Sequence, residues 1–338
     1  MGTMADDVIK GLSEKKIKGM ILTTGNDKKL KKEKIPFGID LLDDLTNGGL
    51  PYGRFTLIYG EGSVGKTFLC YKLFAMVQKL GKKILYVCID KTFEPDWCAT
   101  VGVDVTDLPI LIPDYGEQAW DYVHKAIDNE VDLIVMDSLD AIIPTVIDTS
   151  MENVSYGTEI AKCNTRGIRL AQQKNHNSVL VLLNHIREGV GRFASKSIPG
   201  GKAQEDFASL MMFISRGSAI KDDNAKKIGF TQRITLEKDK VSGKQFQSCE
   251  LPFIYEGGMI DSIGGLIEIC LENNIIPHDR ASYYLFGEKI HGKLKLREAL
   301  TGNTEICDKL RAALRGEVAK LEKVNKEEGI VDGQLNLG

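Results

Sequence analysis

Short apolar runs of strand length alternate with stretches of helical periodicity through most of the chain. The strand-like runs are RFTLIYG (54–60), KILYVCID (83–90), VDLIVMDS (131–138), SVLVLLNH (178–185), LMMFISR (210–216) and QRITLEKDKV (232–241). The helical stretches between them are FLCYKLFAMVQKLG (68–81), EQAWDYVHKAIDN (117–129) and YGTEIAKCNTRGIRLAQQKN (156–175). Several runs are apolar on both faces, which is typical of parallel strands covered by helices on both sides. The pattern therefore predicts an α/β fold with a mainly parallel sheet.

The two ends of the chain differ from this alternating region. Residues 1–34 are polar and lysine-rich, and we expect them to form an arm outside the core. From about residue 266 the pattern becomes mainly helical, with a hairpin signal, ASYYLFGEKIHG, ahead of a charged amphipathic helix. The sequence thus predicts an N-terminal arm (1–34), an α/β core (35–265) and a small C-terminal α+β domain with a frayed tail (266–338).

Composition narrows the class of protein without giving a function. Hydrophobic residues make up 43% and charged residues 27% of the chain, which is ordinary for a globular protein. The net charge of -3 argues against a histone-like nucleic-acid binder but permits a local basic groove. The cysteines are scattered without C-x-x-C spacing, and no apolar run is long enough to span a membrane. We therefore expect a cytoplasmic protein with reduced cysteines and no zinc site.

A glycine-rich segment, GEGSVGKT (60–67), directly follows the first strand-like run and matches the pattern G-x-x-x-x-G-K-[ST] in full. In such a loop the glycines let backbone N–H groups turn toward the phosphates of a nucleotide. The lysine reaches the β- and γ-phosphates, the threonine hydroxyl binds Mg²⁺, and the next helix directs its positive end at the anion. We therefore expect ATP and Mg²⁺ to be bound by Gly60, Glu61, Gly62, Ser63, Val64, Gly65, Lys66 and Thr67.

Residues at and just after the ends of the second and third strand-like runs supply candidates for the rest of the site. Asp137 ends VDLIVMD, where ligands bind in open α/β sheets, and is expected to hold Mg²⁺, although a strand-end aspartate is often a helix N-cap. Asp90 ends the second run and Glu94 follows it, and either carboxylate fits the group that orients and polarises water. Trp97 fits both a core aromatic residue and a surface on which adenine stacks.

Further segments, taken in order, give the chain a family resemblance. They are GGLPYGRFTLIYGEGSVGKT, EPDWCATVGVD, PDYGEQAWD, VDLIVMDSLDAIIP, LLNHIREGVG followed by GGKAQEDFAS, and EKDKVSGKQFQSCELPFIYEGG. Over about residues 35–292 the chain resembles the RecA family of ATP-dependent DNA recombinases, especially the divergent members carried by bacteriophages. The resemblance implies a RecA-like P-loop ATPase core with an N-terminal polymerisation arm and a small C-terminal domain.

The resemblance also implies roles for residues at matching positions. Asp137 with Ser138 takes the place of the acidic Mg²⁺ site, while Trp97 and Glu94 lie beside the adenine. Asp90 falls on the catalytic glutamate of the family, which is a departure from its pattern. Because aspartate is one methylene shorter than glutamate, we expect hydrolysis to be slower or to depend on Glu94.

Three more positions are implied to couple the nucleotide to DNA and to the neighbouring subunit. His185 stands at the γ-phosphate sensor, where bacterial members usually have glutamine, and histidine titrates near neutral pH. A buried strand-end histidine satisfied by backbone is the alternative. Lys238 and Lys240 are two residues apart on a predicted strand, so they project from one face. The matching pair in the family reaches the ATP of the next subunit, as an arginine finger does; a solvated strand face is the alternative.

Two stretches match the DNA-binding loops of the family. The first, from Thr145 to Gly157, is predicted to be a long non-helical insertion that offers Asn153 and backbone amides to DNA. The second, 187–201, combines basic side chains, an aromatic residue and glycines, so we expect it to be mobile and to order on DNA. Its candidate contacts are Arg187, Arg192, Phe193, Lys196, Gly200 and Gly201. Without the resemblance, the segment 187–201 is typical of a glycine-rich surface loop.

These expectations combine into one function and one alternative. The resemblance implies a DNA-dependent ATPase that forms a helical filament on single-stranded DNA, with ATP at the subunit interfaces, and pairs that strand with duplex DNA in recombination and repair. It also implies the cytoplasm of a bacterial cell, with a phage-encoded origin left open. The departures at Asp90 and His185 favour the alternative, a regulatory ATPase of the same fold that binds a protein partner without strand exchange.

Overall fold

One large sheet organises the fold. A computed structural model describes residues 23–25, 27, 30–148, 155–188, 196–221, 225–255, 262–314 and 316. The strands are β1 Lys34–Ile35, β2 Leu50–Pro51, β3 Arg54–Gly60, β4 Ile84–Cys88, β5 Ile110–Leu111, β6 Leu133–Asp137, β7 Val179–His185, β8 Arg187–Glu188, β9 Lys196–Ser197, β10 Ala208–Lys221, β11 Lys227–Asp239, β12 Ser248–Ile254, β13 His278–Asp279, β14 Ser282–Leu285 and β15 Glu288–His291. The α-helices are α1 Asp40–Leu45, α2 Lys66–Lys79, α3 Pro95–Thr100, α4 Gly116–Asp128, α5 Thr145–Asp148, α6 Tyr156–Lys174, α7 Ala203–Phe207, α8 Ser262–Glu272, α9 Lys293–Leu300 and α10 Thr304–Leu314.

The eight strands of the large sheet lie in the order β12-β11-β10-β3-β7-β6-β4-β5. Neighbouring strands from β10 to β5 are parallel, whereas β11 pairs antiparallel with both β10 and β12. The predicted α/β fold with a mainly parallel sheet is therefore confirmed. Because β3, β7 and β6 are neighbouring parallel strands, their carboxyl ends meet at one edge of the sheet, where the phosphate loop begins.

Two predicted strands are longer in the structure than in the sequence pattern. The run at 210–216 belongs to β10, which extends to Lys221, and the run at 232–241 belongs to β11, which begins at Lys227 and ends at Asp239. The added residues of β10 from Gly217 onward are mostly exposed, whereas those of β11 include the buried Phe230. Their backbones pair across a hairpin, for example Ala219 with Phe230. Hydrophobic periodicity does not reveal such a segment because few of its residues are buried.

The core lies on both faces of this sheet because alternate residues of each strand point in opposite directions. Val181 and Leu183 of β7 pack with α2 on one face, and Leu180 and Leu182 pack with α4 and α6 on the other. On the second face, the buried indole of Trp120 lies directly over Gly167 of α6, where an added Cβ would come within 2.1 Å of its ring. A glycine is therefore required inside this helix.

Helices α8, α9 and α10 enclose a third apolar cluster beside a small antiparallel sheet, β13-β14-β15. The predicted hairpin is confirmed as β14 and β15, and the predicted helix begins at Thr304. Arg311 of α10 holds this cluster to α1, because its Nε and Nη2 donate to Oδ1 and Oδ2 of Asp40 at 2.8 and 3.0 Å. The boundaries 34/35 and 265/266 stay predictions, and residues 1–22 of the arm lie outside the described part of the chain.

The first predicted DNA loop is helical at both of its ends, so the expectation of a non-helical insertion from Thr145 to Gly157 is wrong there. Helix α5 covers Thr145–Asp148, and α6 begins at Tyr156. The carboxylate of Glu117 accepts hydrogen bonds from the backbone N and the hydroxyl of Thr145 at 3.0 and 3.2 Å, which satisfies a donor at the start of α5. Asn153 lies outside the described residues.

In the described part of the chain, no helix combines the length and the apolar character that a membrane span requires.

Candidate functional site

The phosphate loop connects the end of β3 to the start of α2. Gly60 cannot carry a side chain, because a Cβ would lie 2.1 Å from the carbonyl oxygen of Ile214, and Gly65 has a φ of 87°, a left-handed conformation. The loop is also held from β11, since the buried amide of Gln232 donates to the carbonyl oxygen of Val64 at 2.6 Å. Sequence reasoning missed Gln232, because no local pattern reveals a contact between segments so far apart in the chain.

Lys66 is the first residue of α2 and its side chain turns back into the loop. It is 5% exposed, and its Nζ donates to the carbonyl oxygens of Gly60 and Glu61 at 3.1 and 2.7 Å. Burial lowers the pKa of Lys66 to about 8, while the nearby carboxylates of Asp137 and Asp140 act in the opposite direction. A buried ammonium group inside a phosphate loop fits the binding of an anionic oxygen, which accepts a stronger hydrogen bond than a carbonyl does.

The two predicted Mg²⁺ ligands lie side by side. The hydroxyl of Thr67 donates to Oδ2 of Asp137 at 2.7 Å, and the hydroxyl of Tyr86 donates to the same oxygen at 3.2 Å. Asp137 is 3% exposed, and burial raises its pKa to about 6, against the effect of the Thr67 hydrogen bond. A hydroxyl and a carboxylate at the end of a phosphate loop are the oxygen donors that Mg²⁺ takes beside a nucleotide, so the residues present fit this ion.

The two candidates for activating water occupy different places near this pair. Asp90 lies two residues beyond β4, and its backbone N donates to the carbonyl oxygen of Asp137 at 3.3 Å. Its carboxylate accepts hydrogen bonds from the backbone N and the hydroxyl of Thr92, and its charge adds to burial in raising the pKa of Asp137. Glu94 is exposed at the N-cap of α3. The backbone of Asp90 thus contacts that of Asp137, the expected Mg²⁺ ligand, whereas Glu94 lies farther along the chain.

Trp97 packs against the helix after the phosphate loop and is also partly exposed, a geometry that fits both roles left open by its sequence position. Its ring packs against Phe68 and Tyr71 of α2, with centroid distances of 5.7 Å to each. It remains 37% exposed, so part of the indole is free to contact a planar group. The packing fixes the position of the indole relative to the helix that follows the phosphate loop.

His185, the last residue of β7, lies beside the phosphate loop and contacts a carboxylate. Its backbone pairs in register with Gly60, the first glycine of the loop. Its Nδ1 is 3.2 Å from both carboxylate oxygens of Asp140, and the hydroxyl of Ser138 donates to Oδ1 of Asp140 at 2.7 Å. The imidazole is therefore not a buried strand-end side chain satisfied only by backbone. Asp140 was not singled out from the sequence, since an acid three residues after a strand carries no specific signal.

The predicted lysine pair lies at the end of β11. The strand ends at Asp239, so Lys240 lies one residue beyond it, and the expectation that both lysines lie on a strand is wrong for Lys240. The Nζ of Lys238 donates to the carbonyl oxygens of Glu205 and Asp206 at 2.5 and 3.1 Å. Burial lowers the pKa of Lys238, and the charge of Lys240 lowers it further, so the two ammonium groups lie near each other.

The second predicted DNA loop leaves the sheet immediately after β7, the strand that ends at His185. Arg187 in β8 pairs with Ser197 in β9, so the two ends of the loop form a short antiparallel ladder. Arg192 and Phe193 lie outside the described residues, and of Lys196 only the backbone, in β9, is described. The described ends of this segment thus lie next to each other, just after His185.

The C-terminal end of this loop is fixed by buried amide side chains. Asn184 donates to the carbonyl oxygen of Pro199 at 2.8 Å, and Asn164 of α6 donates to that of Gly200 at 3.3 Å. Gly200 and Gly201 have φ values of 92° and 93°, and an added Cβ at Gly200 would lie 2.8 Å from the Asn164 amide. These glycines therefore have a packing requirement that the sequence interpretation, which assigned them to mobility and to DNA contact, did not include.

Comparison with known proteins gives consistent similarities. The family model described as the RecA N-terminal domain matches residues 4–260. The chain is 32% identical to the protein RecA of Aquifex aeolicus (strain VF5) over 320 residues, which cover 92% of this chain and 91% of that protein. It is 31% identical to the protein RecA of Malacoplasma penetrans (strain HF-2), covering 86% and 89% of the two chains, and 32% identical to that of Mycoplasma mycoides, covering 84% and 83%. The range matched by the family model contains every candidate site residue described above.

Proposed function

The chain belongs to the RecA family, and on that premise we propose that it is an ATP-dependent recombinase that forms a helical filament on single-stranded DNA and pairs it with duplex DNA. One observation carries the proposal. The phosphate loop, the Thr67–Asp137 pair and the strand that ends at His185 meet at one edge of the sheet, and the second DNA loop departs from that edge. A nucleotide and DNA would therefore act on neighbouring residues.

The phosphate loop and its partners supply the binding of ATP. Lys66 exchanges its two carbonyl acceptors for phosphate oxygens, and the ion pair gained offsets the burial of its ammonium group. Thr67 and Asp137 would hold Mg²⁺, which would supply positive charge to neutralise that of the phosphates. Asp90 orients the attacking water, because its backbone N contacts the carbonyl oxygen of Asp137 and its carboxylate is held by Thr92. Trp97 offers its exposed face to the adenine.

Coupling to DNA passes through two consecutive residues of β7. His185 contacts the nucleotide side, while the side chain of Asn184 holds Pro199 at the end of the DNA loop and also accepts from the backbone N of His185 at 2.8 Å. A movement of His185 on binding ATP would shift the anchor of the loop. The basic residues of the loop, Arg187, Arg192 and Lys196, then contact phosphates, and Phe193 stacks on or wedges between bases.

The subunit interface completes the site. Lys238 and Lys240 bring two positive charges close together: burial lowers the pKa of Lys238, and the charge of Lys240 lowers it further. An anion from outside the subunit would relieve this repulsion, and the triphosphate bound by the next subunit in a filament is such an anion. Because each subunit adds only a few phosphate contacts, the chain can carry a net charge of -3 and bind DNA cooperatively along a strand.

Electron microscopy and strand exchange test this function together. With single-stranded DNA and a non-hydrolysable ATP analogue, the protein is expected to form regular helical filaments, and with ATP it should exchange a homologous strand with duplex DNA. His185→Gln supplies a comparison in which the residue usual in bacterial members is restored. Absence of filaments and of oligonucleotide binding at moderate salt would sink the proposal.

A regulatory ATPase remains the second candidate, because His185 pairs with Asp140 and Asp90 takes the place of a glutamate. Such a protein would bind ATP and a protein partner without coating DNA. A gel-shift experiment with oligonucleotides separates the two, since only the recombinase forms a cooperative complex whose stability depends on the nucleotide.

A further inference from the structure

Asp140 lies beside His185 in an arrangement that constrains the protons of the imidazole ring. Both carboxylate oxygens are 3.2 Å from Nδ1, and the side chain of Asp140 is 14% exposed. Although burial acts to raise it, the pKa of Asp140 lies below its ordinary value, because His185 and Ser138 donate hydrogen bonds to the carboxylate. An ionised carboxylate has only acceptors, so Nδ1 must carry a proton.

The consequence for the opposite nitrogen follows from the two states of imidazole. When Nδ1 carries the single proton of a neutral ring, Nε2 has only a lone pair and accepts hydrogen bonds. Both nitrogens donate only when the ring is an imidazolium. A phosphate oxygen is also an acceptor. The neutral ring fixed by Asp140 therefore repels a phosphate at Nε2, whereas the imidazolium donates a hydrogen bond to it and attracts it.

His185 is placed to meet this phosphate. It is paired with Gly60 at the start of the phosphate loop, and the carboxylate of Asp140 is close enough to Lys66 to raise the pKa of that lysine. The charged residues on the neighbouring elements are Asp140 on the turn after β6, Glu61 and Lys66 on the phosphate loop, and Arg187 on β8. Among these, Asp140 makes the direct contact with the ring.

We propose that Asp140 is a positioning residue that makes the sensing of the γ-phosphate by His185 depend on a proton, so that ATP binding is accompanied by proton uptake at the ring. This rests on the proposed function, in which His185 is the sensor. The proton comes from solvent, and the ring then donates from Nδ1 to Asp140 and from Nε2 to the γ-phosphate. ADP lacks that phosphate and draws no proton to the ring.

His185→Gln is the matched control, because a carboxamide donates a hydrogen bond without changing its charge. Isothermal titration of a non-hydrolysable ATP analogue with Mg²⁺, and of ADP with Mg²⁺, in buffers of different ionisation enthalpy measures the protons taken up by the full-length protein. Subtracting the proton uptake of His185→Gln from that of the wild type cancels the protons that the nucleotide itself takes up.

The wild-type protein should take up more protons than His185→Gln with the ATP analogue, approaching one per site at pH values where the ring of the free protein is neutral, and no more with ADP. Its affinity for the analogue, relative to that of His185→Gln, should fall by up to about tenfold for each unit by which the pH rises in that range. Equal proton uptake in the two proteins would overturn the proposal.

Asp140→Asn tests the role assigned to the carboxylate. Its amide can donate to Nδ1, which frees a neutral ring to present Nε2–H, so the extra proton uptake should drop toward the His185→Gln value. Asp140→Ser provides the same test if the first variant does not fold. Unchanged uptake in a folded variant would contradict the positioning role.

If the analogue binds and single-stranded DNA stimulates hydrolysis while no extra proton is taken up, the proton linkage fails and the proposed function stands. If neither nucleotide binds, the proposed function itself fails.

Discussion

The hydroxyl of Thr67 donates a 2.7 Å hydrogen bond to the carboxylate of Asp137, which lies 70 residues farther along the chain. The contact joins the start of α2 to the end of β6, so both expected Mg²⁺ ligands converge on one point beside the phosphate loop. It also places a carboxylate in a buried position, where its charge acts against the stability of the nucleotide-free fold.

Asp137→Asn should separate stability from function. Burial raises the pKa of Asp137 to about 6, so the stability linked to its neutral form is complete below the unfolded value, near 3.9, and is lost as the pH rises through about 6. Asparagine stays neutral and still accepts from Thr67. We therefore expect the free energy of unfolding without nucleotide to rise by about 1–3 kcal/mol near pH 8, with a much smaller gain near pH 4.

Urea denaturation at the two pH values measures this difference. The same variant should lose Mg²⁺-dependent hydrolysis of ATP, because one of the two oxygen ligands is no longer charged. A gain in stability that is equal at both pH values would show that charge burial is not its cause.

Asp90→Asn and Glu94→Gln decide which carboxylate activates water. Asp90 is held beside the backbone of Asp137, whereas Glu94 is exposed at the start of α3, so Asp90→Asn should stop hydrolysis and leave ATP binding and filaments intact. A loss of about 10²-fold or more in turnover is expected for a general base. Glu94→Gln is the matched control and should retain turnover. The opposite result would move the catalytic assignment to Glu94.

A mixing experiment tests whether one site is shared between subunits. Lys66→Ala should abolish hydrolysis within its own subunit, and Lys238→Ala should weaken it in the neighbouring one. In mixed filaments, some interfaces combine an intact phosphate loop with an intact Lys238, so the mixture should recover part of the activity that each variant lacks alone. No recovery at any ratio would argue that Lys238 acts within its own subunit or only holds the carbonyl oxygens of Glu205 and Asp206.

Two glycines of α6 should respond differently to alanine. An added Cβ at Gly167 would come within 2.1–2.5 Å of the Trp120 ring, so Gly167→Ala is expected to lower the free energy of unfolding by about 1–3 kcal/mol. Gly157→Ala in the same helix meets nothing within 4 Å and should be neutral or stabilising by up to about 1 kcal/mol. Thermal denaturation of both variants gives the comparison. Equal effects would show that the contact with Trp120 does not set the requirement for glycine.

The sequence predicted those parts of the molecule whose signal is local. The strand at 54–60 has the bounds of β3, and β7 begins one residue after its predicted start, because a strand buried on both faces is a continuous apolar run. The phosphate loop is also a local pattern. The added part of the β10–β11 hairpin escaped prediction because few of its residues are buried and its pairing is made by backbone atoms, which carry no sequence signal.

The contacts that refine the candidate site are non-local and could not be predicted from these patterns. Gln232 reaches Val64 across 168 residues, and Asp140 reaches His185 across 45. The sequence around a polar residue on a strand or turn does not show whether its side chain faces solvent or another buried group. Only the folded chain shows that these side chains touch the phosphate loop and the sensor.

The rate of ATP hydrolysis with and without single-stranded DNA tests the central claim most directly. The link from His185 and Asn184 to the anchored end of the DNA loop predicts that single-stranded DNA strongly stimulates hydrolysis, and that Asn184→Ala reduces the stimulation more than the basal rate. A rate of hydrolysis that single-stranded DNA leaves unchanged, in a protein that binds ATP, would contradict the account.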